Sequence, residues 1–586
     1  MLNKKLFHHK DTKGTKVFVF LVSLWFIFFF LPAQSADKAD LVITNARVLT
    51  VDKNFSVVQA VAVRGDRFIA AGTNEQIRKW AGANTQVIDA RGKTVIPGII
   101  ESHSHSTDVA RNEAVQKYEE MTSIPVMQAW VRRMAAKKPA GEWIVIPRAY
   151  PTRLQERRFP TRAELDAASN RHAVVMDGAY SHVLNGLALE KAGIRRNSPA
   201  LAVGEIDRDS QGNPTGLLRN AGKYLARFLP SSNASREEVL NKMAEVHRVY
   251  ASVGITSVME RGASLDDYRL YEELRRQNRL LLHSRVTLRI PGSSGPETEQ
   301  FIQSLPFKPG SGDEWLSPGP LKIVVDGGIL IGTAFMREPY GAKAMPLYNL
   351  SDPNYRGSLT LKPEAVREII TAGHRLGWQM SSHVTGTAGV DIVLDGVEAA
   401  GKAKPIEKAR YNLIHAYFPD KQVAARARKL GVCVDTQPAW FYKDADSLAT
   451  ALSSDLMRRF IGMREWLNAG VTVVANTDHM LGMDPNTALN PFNPFLTMGV
   501  MVTRKTQGGQ VISEEQKVSR EEALRMMTIN AAYLTFDEKL KGSIEPGKLA
   551  DLAMLSDDFL KCPPDKIRDI RPVLTIVGGR VVYKKE

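Results

Sequence analysis

The sequence predicts an α/β protein: a (β/α)8 TIM-like barrel with an inserted subdomain, flanked by a small β-sandwich built from both chain ends. Two observations predict the barrel: eight short apolar segments recur along the chain, and helical stretches separate most of them. Repeated strand–helix units form a parallel sheet, and eight such units close a barrel. A third observation predicts the sandwich, since β-branched segments broken by turns occupy both ends of the chain.

The barrel is predicted to span residues 95–541. Its strands are expected at residues 95–101, 256–260, 283–289, 321–326, 379–383, 412–415, 432–436 and 471–478. Helices are expected at residues 362–376, 421–430 and 456–469. The stretch 106–251 is too long for one crossover, so it predicts an inserted subdomain.

The β-sandwich is predicted from residues 37–94 and 542–586. Its strands are expected at residues 41–51, 57–64, 67–72, 86–95, 553–556 and 573–583. Asp-Lys, Gly-Asp and Arg-Gly turns interrupt the N-terminal group, which is typical of hairpins.

Residues 1–36 have the pattern of a secretory signal peptide. Lysines come first, an apolar run covers residues 17–30, and small residues around Ser35 and Ala36 precede the polar Asp37. The protein is therefore expected to be exported, either periplasmic or secreted, with no membrane segment after cleavage. An uncleaved anchor is the alternative, although the apolar run would barely cross a hydrocarbon core of ~30 Å.

Composition and charge narrow the class of partner. Hydrophobic residues are 44% and charged residues 24% of the 586 residues, which is ordinary for a globular protein. The net charge is +15, but the basic residues are scattered without a stripe or interleaved aromatics, so nucleic acid is not an expected partner. The expected partner is a small-molecule substrate, and the sequence does not decide whether the chain also forms a homo-oligomer. Cys433 and Cys562 permit a disulfide, but Cys433 lies in an apolar run and is expected to be a buried free thiol.

The strongest local motif is a His-x-His pair at the end of the first predicted barrel strand. Side chains alternate along a strand, so His103 and His105 project the same way, into the barrel mouth where active sites lie. Two imidazoles on one face are a ready pair of ligands for a metal such as Zn²⁺. Two hydrogen-bonded structural histidines are the alternative.

Three more residues with suitable side chains end predicted barrel strands. His383, His415 and Asp478 are each able to bind a metal or to transfer protons. Any one of them alone is more often structural, but their shared location favours convergence on one point. The sequence therefore predicts a metal site at the barrel mouth.

Lys322 lies in an apolar strand with Asp326 on the same face. A buried lysine is costly unless it is paired or neutralised. Carboxylation would turn its amine into a carbamate that bridges two metals, whereas an ion pair with an acid at the barrel floor is the alternative.

Several stretches in this order carry a resemblance to a known family. They are VIPGIIESHSHS (95–106), DGAYSHVLNGLALEKAGI (177–194), GEIDRDSQGNPTGLLRNA (204–221), GITSV (254–258), LKIVVDGG (321–328), SSHVTGTAGVDIVLDGVEAA (381–400), NLIHAYFPD (412–420), TQPAW (436–440), NTDHMLGMDPN (476–486) and GSIEPGKLADLAML (542–555). With them, the chain resembles the YtcJ-like (N-substituted formamide deformylase-like) branch of the amidohydrolase superfamily. The resemblance implies the barrel and the sandwich, and one or two divalent metals, with zinc as the expected ion.

The resemblance also implies a role for each strand-end residue. It makes His103 and His105 ligands from the first strand, and His383 and His415 ligands from the fifth and sixth. Lys322 matches the fourth-strand lysine that is carboxylated in binuclear relatives. Asp478 matches the eighth-strand aspartate, which is both a ligand and the catalytic proton shuttle.

Two motifs depart from the family pattern. His383 usually opens His-Ala-Ile-Gly-Asp, whereas this chain has Thr387 at the aspartate position. The eighth strand usually reads Ser-Asp-Trp-Pro, whereas here His479 follows Asp478. The extra imidazole of His479 either contacts substrate or lies on the rim.

Three other residues are expected to touch substrate. The resemblance places the motif around His182 near the pocket, although a polar cluster at a helix start is the alternative. Arg337 and Tyr340 follow the fourth strand and could orient a carbonyl or a carboxylate. A group of apolar and aromatic residues near the mouth suggests an apolar or aromatic substrate moiety: Trp440, Phe441, Tyr442, Met480 and Met483.

Together these features predict hydrolysis of a C–N bond in an amide, formamide, cyclic amide or N-acyl compound. Metal-activated water would attack the carbonyl carbon, and Asp478 would carry the proton to the leaving nitrogen. Ester hydrolysis or ring deamination on the same barrel is one alternative. A non-catalytic exported binding or regulatory protein is the other.

Overall fold

The computed structural model describes residues 38–230 and 233–585. The predicted signal peptide at residues 1–36 lies outside the described residues. Across the described ranges, every helix is too short or too polar to cross a bilayer.

Eight parallel strands form the barrel that the sequence predicts. They are Ile99–Ser104, Ile255–Ala263, His283–Leu288, Leu321–Val324, Met380–Val384, Asn412–His415, Cys433–Thr436 and Thr472–Ala475. The first three lie in one sheet with the edge strand Leu316–Pro318, and the last five lie in another. Two parallel bridges join these sheets, Arg289 to Lys322 between strands three and four and Ser104 to His479 beyond strand eight. The ring of strands is therefore closed, and the (β/α)8 prediction is confirmed.

The prediction of one strand over residues 95–101 is wrong, because this stretch contains two strands. Thr94–Pro97 pairs antiparallel with Leu552–Leu555 in the sandwich, whereas Ile99–Ser104 enters the barrel. Gly98 lies between them, where a Cβ atom would meet Thr256 Oγ1 at 2.1 Å. An unbroken apolar run carries no signal for the point at which a strand changes its sheet.

Two sheets pack as the sandwich, and the second combines both chain ends. The first sheet contains Leu41–Thr44, Ala60–Arg64, Arg67–Gly72 and Gln86–Asp89. The second contains Arg47–Leu49, Val57–Val58, Thr94–Pro97, Leu552–Leu555, Pro572–Val577 and Arg580–Lys584. Ile43 and Val63 share one buried cluster with Leu552 and Ile576, so burial of apolar surface holds the two ends together.

The stretch between the first two barrel strands contains its own five-stranded sheet. Its strands are Trp143–Ile146, Ala173–Asp177, Ser181–Leu184, Glu205–Arg208 and Pro214–Arg219. Its helices are Ser106–Val115, Ile124–Ala135, Arg162–Ala168, Gly186–Lys191, Gly222–Leu225 and Arg236–Ser252. The turn at residues 178–180 reaches the barrel mouth.

The remaining helices are Asn74–Arg78, Leu265–Arg276, Gly295–Ser304, Met345–Tyr348, Pro363–Arg375, Thr387–Ala403, Lys421–Lys429, Pro438–Ala451, Ser454–Arg459, Met463–Asn468, Pro494–Thr503, Arg520–Met526 and Ile529–Leu534. The helices predicted at 362–376 and 421–430 are confirmed. The one predicted at 456–469 is wrong as a single helix, because Phe460 has extended dihedrals and Gly462 precedes a second helix.

Both cysteines are buried free thiols, as predicted for Cys433.

Candidate metal centre

A cavity of about 260 Å³ opens at the carboxyl ends of the barrel strands. Its wall includes all six residues predicted as metal ligands: His103, His105, Lys322, His383, His415 and Asp478. These residues are distant in sequence, and the parallel strands bring their ends to one rim.

His103, His105 and Asp478 form the tightest group of donors in this cavity. The Nε2 atoms of His103 and His105 lie 3.2 Å and 3.4 Å from the same oxygen, Asp478 Oδ1. One potential ligand atom from each of the three residues lies within 4.8 Å of the others. Asp478 Oδ1 is buried and has no hydrogen-bond partner in the described chain, and a bound cation would satisfy this polar atom. The donor set fits a divalent metal.

The local backbone aims two of the ligands into the cavity. His415 and Asp478 have φ angles of 78° and 52°, a left-handed conformation that costs a non-glycine residue about 1–3 kcal/mol. Neighbouring side chains hold the turn at Asp478: Trp440 Nε1 donates to its Oδ2 at 3.1 Å, and Asn490 Nδ2 donates to its backbone oxygen at 2.6 Å. The strain is therefore balanced by contacts that orient the carboxylate.

His383 and His415 form a second pair of donors. In each ring, the nitrogen that faces away from the other ring (the outer nitrogen) lies at hydrogen-bond distance from an oxygen. His383 Nε2 lies 3.2 Å from the Gly327 carbonyl oxygen, and His415 Nδ1 lies 2.7 Å from Gln437 Oε1. Gln437 presents its oxygen because its Nε2 donates to the Asp435 carbonyl oxygen at 2.9 Å. Each outer nitrogen therefore carries its ring's proton.

The inner nitrogens of this pair, His383 Nδ1 and His415 Nε2, lie only 2.7 Å apart. Burial lowers the pKa of His383 well below its usual value and that of His415 to about 4, so neither ring gains a second proton at neutral pH. Two lone pairs then face each other, an arrangement that a cation would relieve. This geometry also fits a metal.

Lys322 lies beside these donors, with its Nζ 3.4 Å from His103 Nε2. Burial lowers the pKa of its amine to about 7, so the uncharged amine is available at neutral pH. Lys322 forms no ion pair with any acid in residues 38–230 and 233–585, and the ion-pair alternative at the barrel floor is therefore not supported. Asp326 is used elsewhere, because its carboxylate accepts from the backbone N–H groups of Phe335, Thr385 and Gly386.

The four residues expected to contact substrate do not line the cavity. His182 is buried behind it, with its Nε2 3.5 Å from Asp177 Oδ1. Arg337 pairs instead with Asp391 and Asp420, each at 2.6 Å, because two helices direct these carboxylates at it. Neither His182 nor Arg337 therefore faces the cavity in which substrate is expected to bind.

Tyr340 and His479 are likewise engaged elsewhere. The Tyr340 hydroxyl donates to the Ala334 carbonyl oxygen at 2.9 Å. His479 is fully buried, with its Nδ1 2.7 Å from the Tyr250 hydroxyl and its Nε2 2.7 Å from the Gly482 carbonyl oxygen. His479 is therefore a packing residue rather than a rim residue.

The sequence reasoning missed several polar residues that line the cavity: Arg148, Tyr150, Tyr180, Arg289 and Tyr417. Arg289 ends the predicted strand 283–289, so the strand-end rule that found the histidines could have found it. Of the apolar group suggested for the substrate moiety, Trp440 and Met480 line the cavity, and the other three do not.

The donor set at the mouth of the closed barrel is of the kind that metal-dependent hydrolases use. A family model for the amidohydrolase family matches residues 86–583. The chain belongs to this family, and it is a metal-dependent hydrolase that acts on C–N bonds of small molecules.

Two curated relatives match along most of the chain. The N-substituted formamide deformylase of Arthrobacter pascens is 27% identical over 93% of this chain and 98% of its own length. The protein YtcJ of Bacillus subtilis strain 168 is 22% identical over 90% of this chain and 96% of its own. These relatives confirm the resemblance to the YtcJ-like branch.

A solved structure shows the same fold. It is an uncharacterised metal-dependent hydrolase from Pyrococcus horikoshii, with a TM-score of 0.66 and 19% identity. The match covers 89% of this chain and 99% of that one.

Proposed function

We propose that the protein cleaves the C–N bond of an amide, formamide, cyclic amide or other N-acyl compound by metal-dependent attack of water. One observation carries the proposal: the Nε2 atoms of His103 and His105 converge on the buried Asp478 Oδ1 inside the barrel-mouth cavity. Zinc is the proposed metal, because two imidazoles and one carboxylate are a common zinc ligand set.

The remaining donors would complete the metal site. His383, His415 and Lys322 lie in the same cavity, and a carbamate on Lys322 would allow a second ion. A divalent metal, when bound, supplies Lewis acidity that lowers the pKa of water and polarises a carbonyl group.

Asp478 is the proposed proton shuttle. Burial raises the pKa of the Asp478 carboxyl group, but the neighbouring His105, His415 and Lys322 side chains lower it by more than burial raises it, so the net pKa is below the usual value. The ionised carboxylate can accept a proton from the attacking water. Trp440 holds Oδ2 in place, and Asp478 then donates the proton to the leaving nitrogen.

N-substituted formamides are the first substrates to test, because the Arthrobacter pascens relative is named for deformylation of that class. The cavity wall includes the apolar side chains of Ile329, Leu330, Ile331 and Trp440, which suit an apolar or aromatic substituent on nitrogen.

The test combines metal content with hydrolysis. We expect one or two zinc ions per chain by elemental analysis, hydrolysis of N-acyl compounds, loss of activity on chelation and recovery with zinc. A matched set of esters and ring amines serves as the comparison. Preferential hydrolysis of the esters or deamination of the ring amines would contradict C–N acyl cleavage.

We also propose that the protein is exported. The support is the sequence of residues 1–36 alone. N-terminal sequencing of the protein from the periplasm or the medium should give Ala36 or Asp37 as the first residue. An intact Met1 in the membrane fraction would instead support the uncleaved anchor.

A further inference from the structure

Arg289 is a cation of the cavity wall that the proposed reaction does not use. It directly follows the third barrel strand, lines the cavity and is exposed. A parallel bridge pairs it with Lys322 on the fourth strand, so both side chains lie on the cavity side of the barrel. Within the described chain, the Arg289 guanidinium has neither an ion pair nor a hydrogen bond.

The other charged residues of this wall have partners. Arg148 pairs with Asp177 at 3.1 Å, and Asp478 faces the imidazoles of the metal centre. Asp108 lies 3.8 Å from Arg111. The cavity therefore presents one unbalanced guanidinium, and a divalent metal with a single carboxylate ligand would add further positive charge.

We infer that the substrate carries a carboxylate, which Arg289 binds, so that the substrate class is N-acyl compounds bearing an acid group, such as N-acylated amino acids. This inference rests on the proposed function, because it concerns the same cavity. A guanidinium presents a planar fork of N–H donors that matches the two oxygens of a carboxylate. A neutral N-substituted formamide would leave Arg289 unmatched.

The apolar part of such a substrate has a place in the same cavity. Tyr180 comes from the inserted subdomain, and its hydroxyl lies 3.3 Å from His383 Nδ1. Ile329 and Ile331 lie on the wall that follows the fourth strand. An acid group at Arg289 would thus leave the hydrocarbon part against these side chains and the acyl group at the metal centre.

The first test measures binding, independently of turnover. Benzoate and benzamide are titrated by calorimetry into the zinc-loaded protein and its variants. We expect the wild type to bind benzoate roughly 10-fold to 100-fold more tightly than benzamide, the size of a charge-assisted hydrogen bond. Arg289→Gln should lose this preference, and Arg289→Lys should keep part of it.

The control is Arg580→Gln, which removes the same charge from an exposed strand of the sandwich and should bind like the wild type. Benzoate can also bind the zinc ion directly, so the inference depends on how benzoate affinity differs between the wild type and Arg289→Gln. Unchanged benzoate affinity in Arg289→Gln overturns the inference.

The second test measures hydrolysis of N-formyl-4-aminobenzoate and its carboxamide, which differ only in the acid group. We expect Arg289→Gln to raise KM for the acid by about 10-fold or more, with kcat and the carboxamide little changed. Equal effects on both compounds overturn the inference. If Arg289 selects benzoate but no N-acyl compound is hydrolysed, the proposed function fails while the anion site stands.

Discussion

Asp478 is the residue on which the proposed reaction depends, because its two carboxylate oxygens have different surroundings. Oδ1 faces His103 and His105, whereas Oδ2 accepts a hydrogen bond from Trp440. One oxygen is thus placed for the metal, and the carboxylate is oriented for proton transfer.

Asp478→Asn should therefore separate metal binding from proton transfer. The amide oxygen can still face the metal, but the side chain cannot accept a proton. We expect kcat to fall by roughly 10²-fold to 10⁴-fold while most of the metal is retained. Steady-state kinetics and elemental analysis of the same sample measure both effects, and unchanged turnover would remove the shuttle role.

His103→Ala should lose bound metal, since it removes one of the three closest donors. His479→Gln is the control, because this imidazole lies beside the site but hydrogen-bonds with Tyr250 and Gly482. Metal content per chain should drop in the first variant and stay near the wild-type value in the second. Retention of all metal by His103→Ala would exclude it as a ligand.

Residue by residue, strand-end position predicted five of the six cavity donors, and the sixth, Lys322, was singled out as a lysine in an apolar strand; the substrate contacts were not predicted. The donors follow from a local rule, because every parallel strand of a barrel ends at the same rim. Arg337 and Tyr340 lie in the segment after a strand, where the contacts of a side chain depend on which residues the tertiary structure places next to it. For Arg337 the partners are Asp391 and Asp420, which come from other parts of the chain.

At the scale of elements, Glu260 ties the second barrel strand to two helices. Its carboxylate accepts from the Thr107 hydroxyl and from the Tyr271 hydroxyl, each at 2.8 Å. These partners lie on helices Ser106–Val115 and Leu265–Arg276. Burial raises the pKa of Glu260 to about 8.

This raised pKa predicts a stability that falls with pH. In the unfolded chain Glu260 ionises near pH 4.5, so between that pH and about 8 unfolding releases a proton. The free energy of unfolding should then decrease by up to about 1.4 kcal/mol per pH unit over this window. Glu260→Gln cannot ionise and should gain stability relative to the wild type as the pH rises.

Urea unfolding of both proteins at a series of pH values measures the effect. The control is Glu272→Gln, which alters an exposed carboxylate next to Tyr271 and should leave the pH dependence unchanged. A constant difference between Glu260→Gln and wild type from about pH 5 to about pH 8 would contradict the prediction.

At the scale of the whole molecule, the chain ends are joined to each other and to the barrel. Strand Pro572–Val577 pairs with Leu552–Leu555, which in turn pairs with Thr94–Pro97. The Thr575 hydroxyl also donates to the Ala251 carbonyl oxygen at 2.8 Å, next to the second barrel strand. The sandwich therefore supports the first two strands of the barrel.

Removal of residues 572–586 should abolish soluble, metal-binding protein. It deletes the buried Leu574, Ile576 and Val577, each contributing about 1.5–3 kcal/mol, against a total stability of about 5–15 kcal/mol. Removal of residues 585–586 alone should have little effect. Soluble expression and thermal unfolding measure the outcome, and normal folding of the longer deletion would show that the sandwich is dispensable.

The sequence by itself determined the barrel, the sandwich and the donors at the strand ends, because periodicity and strand-end position are local properties of the chain. The tertiary structure decided how those donors face one another, the change of sheet at Gly98 and the burial of His479. It also decided that, among residues 38–230 and 233–585, no side chain or backbone group pairs with the Arg289 guanidinium. These features depend on packing and hydrogen bonding between residues that are distant in the sequence. A local sequence pattern carries no information about those contacts.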